Sequence, residues 1–163
     1  MDALAEQADF HFSVSMTTRP PRPSEVDGVD YRFVTREEFE EAVAADELLE
    51  WAEYGGNLYG TPRGPVVARL EAGQNVLLDI ENDGAGQVKR SYPDAILIFL
   101  APPSLEELEH RLRSRGDTND TEVRRRLAVA ESQIADAESN FDHLVVNEEI
   151  AAAVAEVTGI LEF

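Results

Sequence analysis

"NVLLDIENDGAGQVKRSYPDAILIFLAPP", residues 75–103, decides the fold class. It holds two short, nearly continuous apolar runs, NVLLDIE (75–81) and AILIFLAPP (95–103), each bounded by breakers. Runs of that kind suit strands covered on both faces, as in a parallel sheet, because a half-solvated strand would alternate. The segment between them, GAGQVKRSYP, is long enough for a short helix. Strand–helix–strand is the unit from which parallel sheets are built.

Working outward toward the C-terminus, Ser104 and Glu107 form an S-x-x-E capping box, and Leu105, Leu108 and Leu112 follow at helical spacing. Gly116 stops that helix, Asp117 to Thr121 make a polar break, and a long helix is expected from about Thr121 to Ser139. HLVVN (143–147) reads as another buried strand before an Ala-rich closing helix. Toward the N-terminus, FHFSVSMT (10–17) alternates as a strand, and a Pro-rich turn (20–23) leads to a short strand YRFV. Thr35 and Glu38 form a second capping box, opening a helix through about Ala45. LLEWAEYGGNLYG (48–60) carries a Gly-Gly turn and reads as a hairpin or loop. Thr61-Pro62 then starts a helix that bears Val66, Val67 and Leu70 and stops at Gly73. The alternation predicts one α/β domain over 1–163 with a three-layer core, and 18–73 as an insertion of mixed short strands.

Composition narrows what this domain meets. A hydrophobic share of 43% is too high for a disordered chain. No apolar run nears the roughly 18 residues that span a bilayer. The first ten residues lack the basic start and apolar core of a secretory signal, and there is no cysteine for a disulfide or thiolate site. A soluble, cytoplasmic protein is expected. The net charge of −19 argues against a nucleic-acid partner, whose phosphates demand many basic contacts, and against an acidic membrane surface. It gives no oligomeric state.

Against that charge, the cations are informative by position. Lys89 is the sole lysine, and eight of thirteen arginines fall in three groups: Arg19 and Arg22; Arg111, Arg113 and Arg115; Arg124, Arg125 and Arg126. Arginine's planar fork suits bidentate phosphate contacts. Arg111 and Arg115 share one helical face, with Arg126 across the polar break, so two helices folding over a ligand would bring three guanidiniums together. Ordinary ion pairing with Glu107 is the competing explanation. Asp79 and Glu81 end the strand VLLDIE, where open α/β sheets bind ligands, and such a pair could hold Mg²⁺ or accept from a ligand donor. Surface charge is a sufficient account of Asp83.

The motifs SVSMTTRPPRPSEVDGVDYRF, ELLEWAEYGGNLYGTP, VLLDIENDGAGQVK, IFLAPPSLEELEHRLRSRG, RRRLAVAESQ and FDHLVVN, in that order, closely resemble guanylate kinase over essentially the whole chain. The resemblance implies a P-loop nucleoside monophosphate kinase-like fold: a parallel core sheet, a GMP-binding subdomain (18–73) and a helical lid (111–126). It implies transfer of a phosphoryl group from ATP, accompanied by Mg²⁺, to GMP. By motif position, Arg19, Arg22, Tyr31 and Tyr59 would hold the GMP phosphate, and Ser15, Glu50 and Thr61 would read the guanine. Asp79 would lie beside the guanosine and the metal-phosphate centre. Arg111, Arg115 and Arg126 would neutralise the transferring group, and Asn147 would approach the adenine of ATP. Chemistry agrees at Glu50, because a carboxylate can accept from both guanine N1–H and the exocyclic amine, an arrangement adenine does not offer.

Two features depart from the family pattern. Glu81 and the run ENDG stand where DVQG is usual, and one extra methylene moves a carboxylate by about 1 Å, a displacement that can cost roughly 10²-fold in rate. The family's G-x-x-x-x-G-K-[ST] loop for the ATP phosphates does not occur in these 163 residues. MDALAEQAD reads as the end of the family's first helix, so the core is expected to be N-terminally truncated, lacking its central strand and phosphate loop. Two functions stay open on that basis. One is a guanylate kinase whose GMP and lid sites are present while the chain by itself is inactive; the other is a non-catalytic module that binds GMP or a protein.

Overall fold

In a computed structural model of the chain, residues 10–114 and 119–161 are described. The expected helix end before Phe10, Arg115 and the stop at Gly116 lie outside them. The described residues group into two compact units, one up to Ala95 and one from Ile96 onward.

The first unit holds two sheets. Strands β1 (Phe10–Phe12) and β6 (Asn75–Leu77) pair in parallel, Phe10 opposite Asn75 and Phe12 opposite Leu77. A mixed four-stranded sheet has the order β3-β2-β5-β4, from β2 (Met16–Thr17), β3 (Arg32–Phe33), β4 (Leu48–Tyr54) and β5 (Asn57–Pro62). The stretch 10–17 is therefore two strands in two sheets, broken at Ser13, Val14 and Ser15, rather than one. Gly55 and Gly56, with φ of 60° and 81°, make the β4–β5 turn, a left-handed pair that suits the twist of a tight hairpin.

Helix α1 (Arg36–Ala44) begins on the expected capping box, with Thr35 accepting from the Glu38 N–H and Glu38 accepting from the Thr35 N–H. It drives Phe39, fully buried, onto one face of the mixed sheet against Met16, Ala42, Leu48 and Leu58. Helix α2 (Arg63–Glu71) starts two residues later than expected, because Thr61 and Pro62 finish β5. Helix α3 (Asn82–Ser91) packs Val88 with Leu49 of β4 and Val66 of α2 in a second cluster.

The second unit pairs β7 (Ile98–Ala101) with β8 (His143–Val146) in parallel, Ile98 opposite His143. It carries α4 (Leu105–Ser114), α5 (Asp120–Asn140) and α6 (Ile150–Ile160). The expected α/β class and parallel pairing hold. Burial on both strand faces does not hold here: Val145 is fully buried, but Leu144 and Val146 are 40% and 45% exposed and Leu100 is 44% exposed. Within this unit, α6 contributes buried Ala153, Val154 and Val157, and among the described residues the alternate strand positions have no comparable cover.

Candidate functional site

A one-residue irregularity builds the centre of the site. Leu48 faces Pro62 across the β4–β5 ladder and Glu50 faces Thr61, leaving Leu49 as an extra residue, a β-bulge. In a regular strand Leu48 and Glu50 would share a face. The bulge turns Glu50 over, so Leu48 enters the Phe39 cluster, Leu49 enters the Val66–Val88 cluster, and Glu50 joins Thr61 and Tyr59 on the opposite side. Glu50 is only 4% exposed and Thr61 is fully buried. The Thr61 hydroxyl donates to Glu50 Oε1 at 2.6 Å. Burial pushes the Glu50 carboxyl above its usual range; the Thr61 bond pulls it back only in part, and the charge of Glu81 adds to the rise.

Beside this carboxylate stands a cradle of opposite character. Thr17 lies opposite both Tyr59 and Phe33, and Tyr31 follows on the same side as Phe33. The Tyr31 ring meets Tyr59 edge-on at 6.2 Å between centroids and Phe33 at 5.9 Å. The Arg19 guanidinium lies 5.0 Å from the Tyr31 centroid and 5.6 Å from that of Phe33, within cation–π range. Ser15, half-buried, accepts the Arg32 N–H through its carbonyl at 2.8 Å. Arg22 is largely exposed, its side chain 62% accessible.

Glu25, which the sequence reading did not single out, organises the two arginines. It takes both terminal nitrogens of Arg19, at 2.7 and 2.6 Å, and the backbone N–H of Arg22 at 2.7 Å. Those donors hold its carboxyl down to about 2, Arg19 first. The same pair raises the Arg19 guanidinium further above its ordinary value. The R-x-x-R-x-x-E spacing is the signal that could have found it.

Asp79 and Glu81 precede α3. Burial raises the Tyr31 hydroxyl, and the charge of Asp79 raises it further. Strand β6 itself ends at Leu77, and the two acids lie in the link to α3. Gln87 of α3 accepts the Trp51 N–H at 3.2 Å and donates to its carbonyl at 2.7 Å, mimicking a neighbouring strand along the free edge of β4. That clamp falls one residue from Glu50.

In the second unit, Arg111 donates to Glu107 at 2.8 Å and to the Asn147 carbonyl at 3.1 Å. Arg126 donates to Glu122 at 3.0 Å, and Arg125 reaches the same carboxylate, holding it down to about 2. Arg111 and Asn147 are thus brought together. Arg126 lies on α5, and Arg115 is outside the described residues.

An α/β domain that sets a buried carboxylate beside an arginine–tyrosine cradle is equipped to bind an anion and to read a neighbouring hydrogen-bond donor. The comparisons narrow that class. The sequence pattern of the guanylate kinase family matches residues 3–163. The guanylate kinase of Synechococcus sp. (strain JA-3-3Ab) is 54% identical over 153 residues, covering 94% of this chain and 70% of that protein. That of Gloeobacter violaceus is 56% identical over 152 residues, covering 93% and 74%. The crystal structure of guanylate kinase from Anaplasma phagocytophilum superposes with a TM-score of 0.84 at 34% identity, covering 99% of this chain and 78% of that one. The chain belongs to the guanylate kinase family, a family of kinases.

Proposed function

We propose that the chain binds GMP as phosphoryl acceptor, for the reaction ATP + GMP → ADP + GDP. The observation that carries this reading is the buried Glu50–Thr61 pair, aimed by the bulge to the face that holds Arg19, Tyr31 and Tyr59. Arg19 and Arg22 bind the GMP phosphate, aided by the tyrosine hydroxyls. Glu50 accepts from guanine N1–H and the exocyclic amine, with Ser15 and Thr61 completing the purine pocket. Thr61 fixes one carboxylate oxygen and so orients the other. Desolvation strengthens each of these bonds once the base excludes water.

Arg111, Arg115 and Arg126 serve as the charges that neutralise the transferring group. Asn147, tied to Arg111, lies toward the adenine side. Among the described residues no three acidic or histidine side chains converge into a metal cage. Mg²⁺ needs none, since one or two carboxylates together with substrate phosphates suffice. Asp79 and Glu81 are the residues that would hold it, and the ion would supply charge neutralisation at the phosphates. No helix among the described residues is long and apolar enough to cross a membrane.

These residues support the acceptor half of the reaction most directly. The alternative reading is a non-catalytic GMP-binding or protein-interaction module. Titration calorimetry with GMP and AMP, followed by a coupled assay with Mg-ATP, tests both. GMP bound well ahead of AMP supports the acceptor site; equal or absent binding overturns it. ADP and GDP formed in equal amounts would identify a kinase complete in itself and exclude the module.

A further inference from the structure

Helix α3 packs directly against the Glu50 carboxylate. Gly84, in its first turn, is buried, and a Cβ placed on it would fall inside the van der Waals envelope of Glu50 Oε2 and 3.1 Å from Cδ. The neighbour is the end of a flexible side chain, so in an ordinary setting it would swing aside cheaply. Here Oε1 is already held by Thr61 at 2.6 Å, and the residue is 4% exposed. One turn further along the same helix, Gln87 fixes the β4 backbone at Trp51 through two hydrogen bonds. Helix, strand and carboxylate are therefore registered against one another. Gly84 supplies the space, Gln87 the anchor, and Thr61 the third point.

We propose that Gly84 is a specificity-positioning residue: its missing side chain lets α3, anchored by Gln87, press against Glu50 and hold the carboxylate where it reads guanine. The role rests on the assignment of Glu50 as the guanine reader. Gly84 acts through Glu50 and touches no substrate. Its backbone lies in ordinary helical geometry, so the requirement for glycine comes from the carboxylate and not from chain conformation.

The test is a cycle of Gly84→Ala in two backgrounds, the natural chain and Glu50→Ala, read by calorimetry with GMP and with IMP, which lacks the exocyclic amine. Melting curves accompany each variant. With Glu50 present, G84A should weaken GMP by roughly 10- to 100-fold, the cost of displacing a reading group by about 1 Å. It should weaken IMP less, shrinking the GMP/IMP ratio. With Glu50 replaced by Ala there is no carboxylate to displace, and G84A should change GMP affinity less than about twofold. An equal loss in both backgrounds, or no loss with Glu50 present, overturns the proposal. Should G84A fail to fold with Glu50 yet fold with E50A, the Cβ–carboxylate conflict is confirmed by stability instead; failure in both backgrounds overturns it. If E50A alone leaves GMP unchanged, the guanine-reading role of Glu50 fails, an outcome distinct from all of these.

Discussion

Glu50→Gln changes one buried oxygen to an amide nitrogen while keeping the shape of the side chain, and it should move binding and stability in opposite directions. In the proposed binding mode, the carboxylate accepts two guanine N–H groups. Glutamine keeps one acceptor, used by Thr61 or by the base, and sets an N–H₂ against a guanine donor. Loss of one hydrogen bond to a charged group costs about 1.5–3 kcal/mol, or roughly 10- to 150-fold in Kd. AMP, which offers no such donor pair, should lose far less. In stability, burial raises the Glu50 carboxyl above its ordinary 4.5, so holding it ionised works against folding at neutral pH. The sign follows from linkage. The natural chain's stability at this position is fully present below 4.5 and is lost as pH rises through the raised folded value. E50Q should therefore melt higher than the natural chain at pH 7, with the gap closing as pH falls below about 4.5. Calorimetric titration with GMP and AMP, together with melting from pH 4 to 8, reads both arms. Equal losses for the two nucleotides would refute the base-reading role, and a variant that melts lower at pH 7 would refute the desolvation argument.

Three further outcomes follow from the same geometry. Arg22→Ala should weaken GMP by about 1.5–3 kcal/mol as one charge-assisted contact goes, with no change in melting, since its side chain is largely exposed; an unchanged Kd by titration removes it from the site. Glu25→Gln should flatten acid unfolding: the depressed carboxyl contributes stability above its ordinary 4.5 that is lost as pH falls toward about 2, so urea midpoints of the two proteins should converge across that window, and parallel midpoints would contradict it. Phe39→Ala empties the centre of the α1 cluster, a fully buried ring, and should cost about 3–5 kcal/mol in urea unfolding; a loss below about 1 kcal/mol would mean that Phe39 does not hold α1 to the sheet.

The sequence was most legible where one local rule acts alone. The Thr35 capping box starts α1 where the pattern places it, and the Gly-Gly pair turns the hairpin. It was least legible where two elements compete for the same residues. FHFSVSMT alternates as one strand, yet Phe10–Phe12 pairs with β6 and Met16–Thr17 with β3 and β5, a partition set by distant partners. Thr61-Pro62 carries a helix-start signal, but Thr61 is drawn into the ladder opposite Glu50, and α2 begins only at Arg63. The site residues of the first unit came from ordered motifs, and the fold collects Arg19, Tyr31, Glu50, Tyr59 and Thr61 in one unit. Glu25 and Gly84 were missed for opposite reasons. The first is one acid among 33, and the second acts through an atom it lacks.

The bulge at Leu49 shows why residue identity alone could not have placed Glu50. Counting by twos along LLEWAEY puts Leu48, Glu50 and Ala52 on one face, which would bury the carboxylate in the Phe39 cluster with no donor to meet it. An unpaired ionised carboxylate in an apolar core is among the costliest arrangements a fold can hold. The extra residue resolves the conflict: Leu48 and Leu49 each reach a separate apolar cluster, and Glu50 meets the Thr61 hydroxyl instead. Packing energy from two leucines thus holds in place a carboxylate that is itself unfavourable to bury. Deleting Leu49 makes Leu48 and Glu50 neighbours opposite Pro62 and Thr61, and neighbours in a regular strand point to opposite faces. The deletion should therefore keep Glu50 on the Thr61 side and leave GMP binding in place, while losing the packing of Leu49 against Val66 and Val88, about 2–5 kcal/mol in urea unfolding. A folded deletion variant that no longer binds GMP would show that the bulge geometry itself, beyond the choice of face, aims the carboxylate.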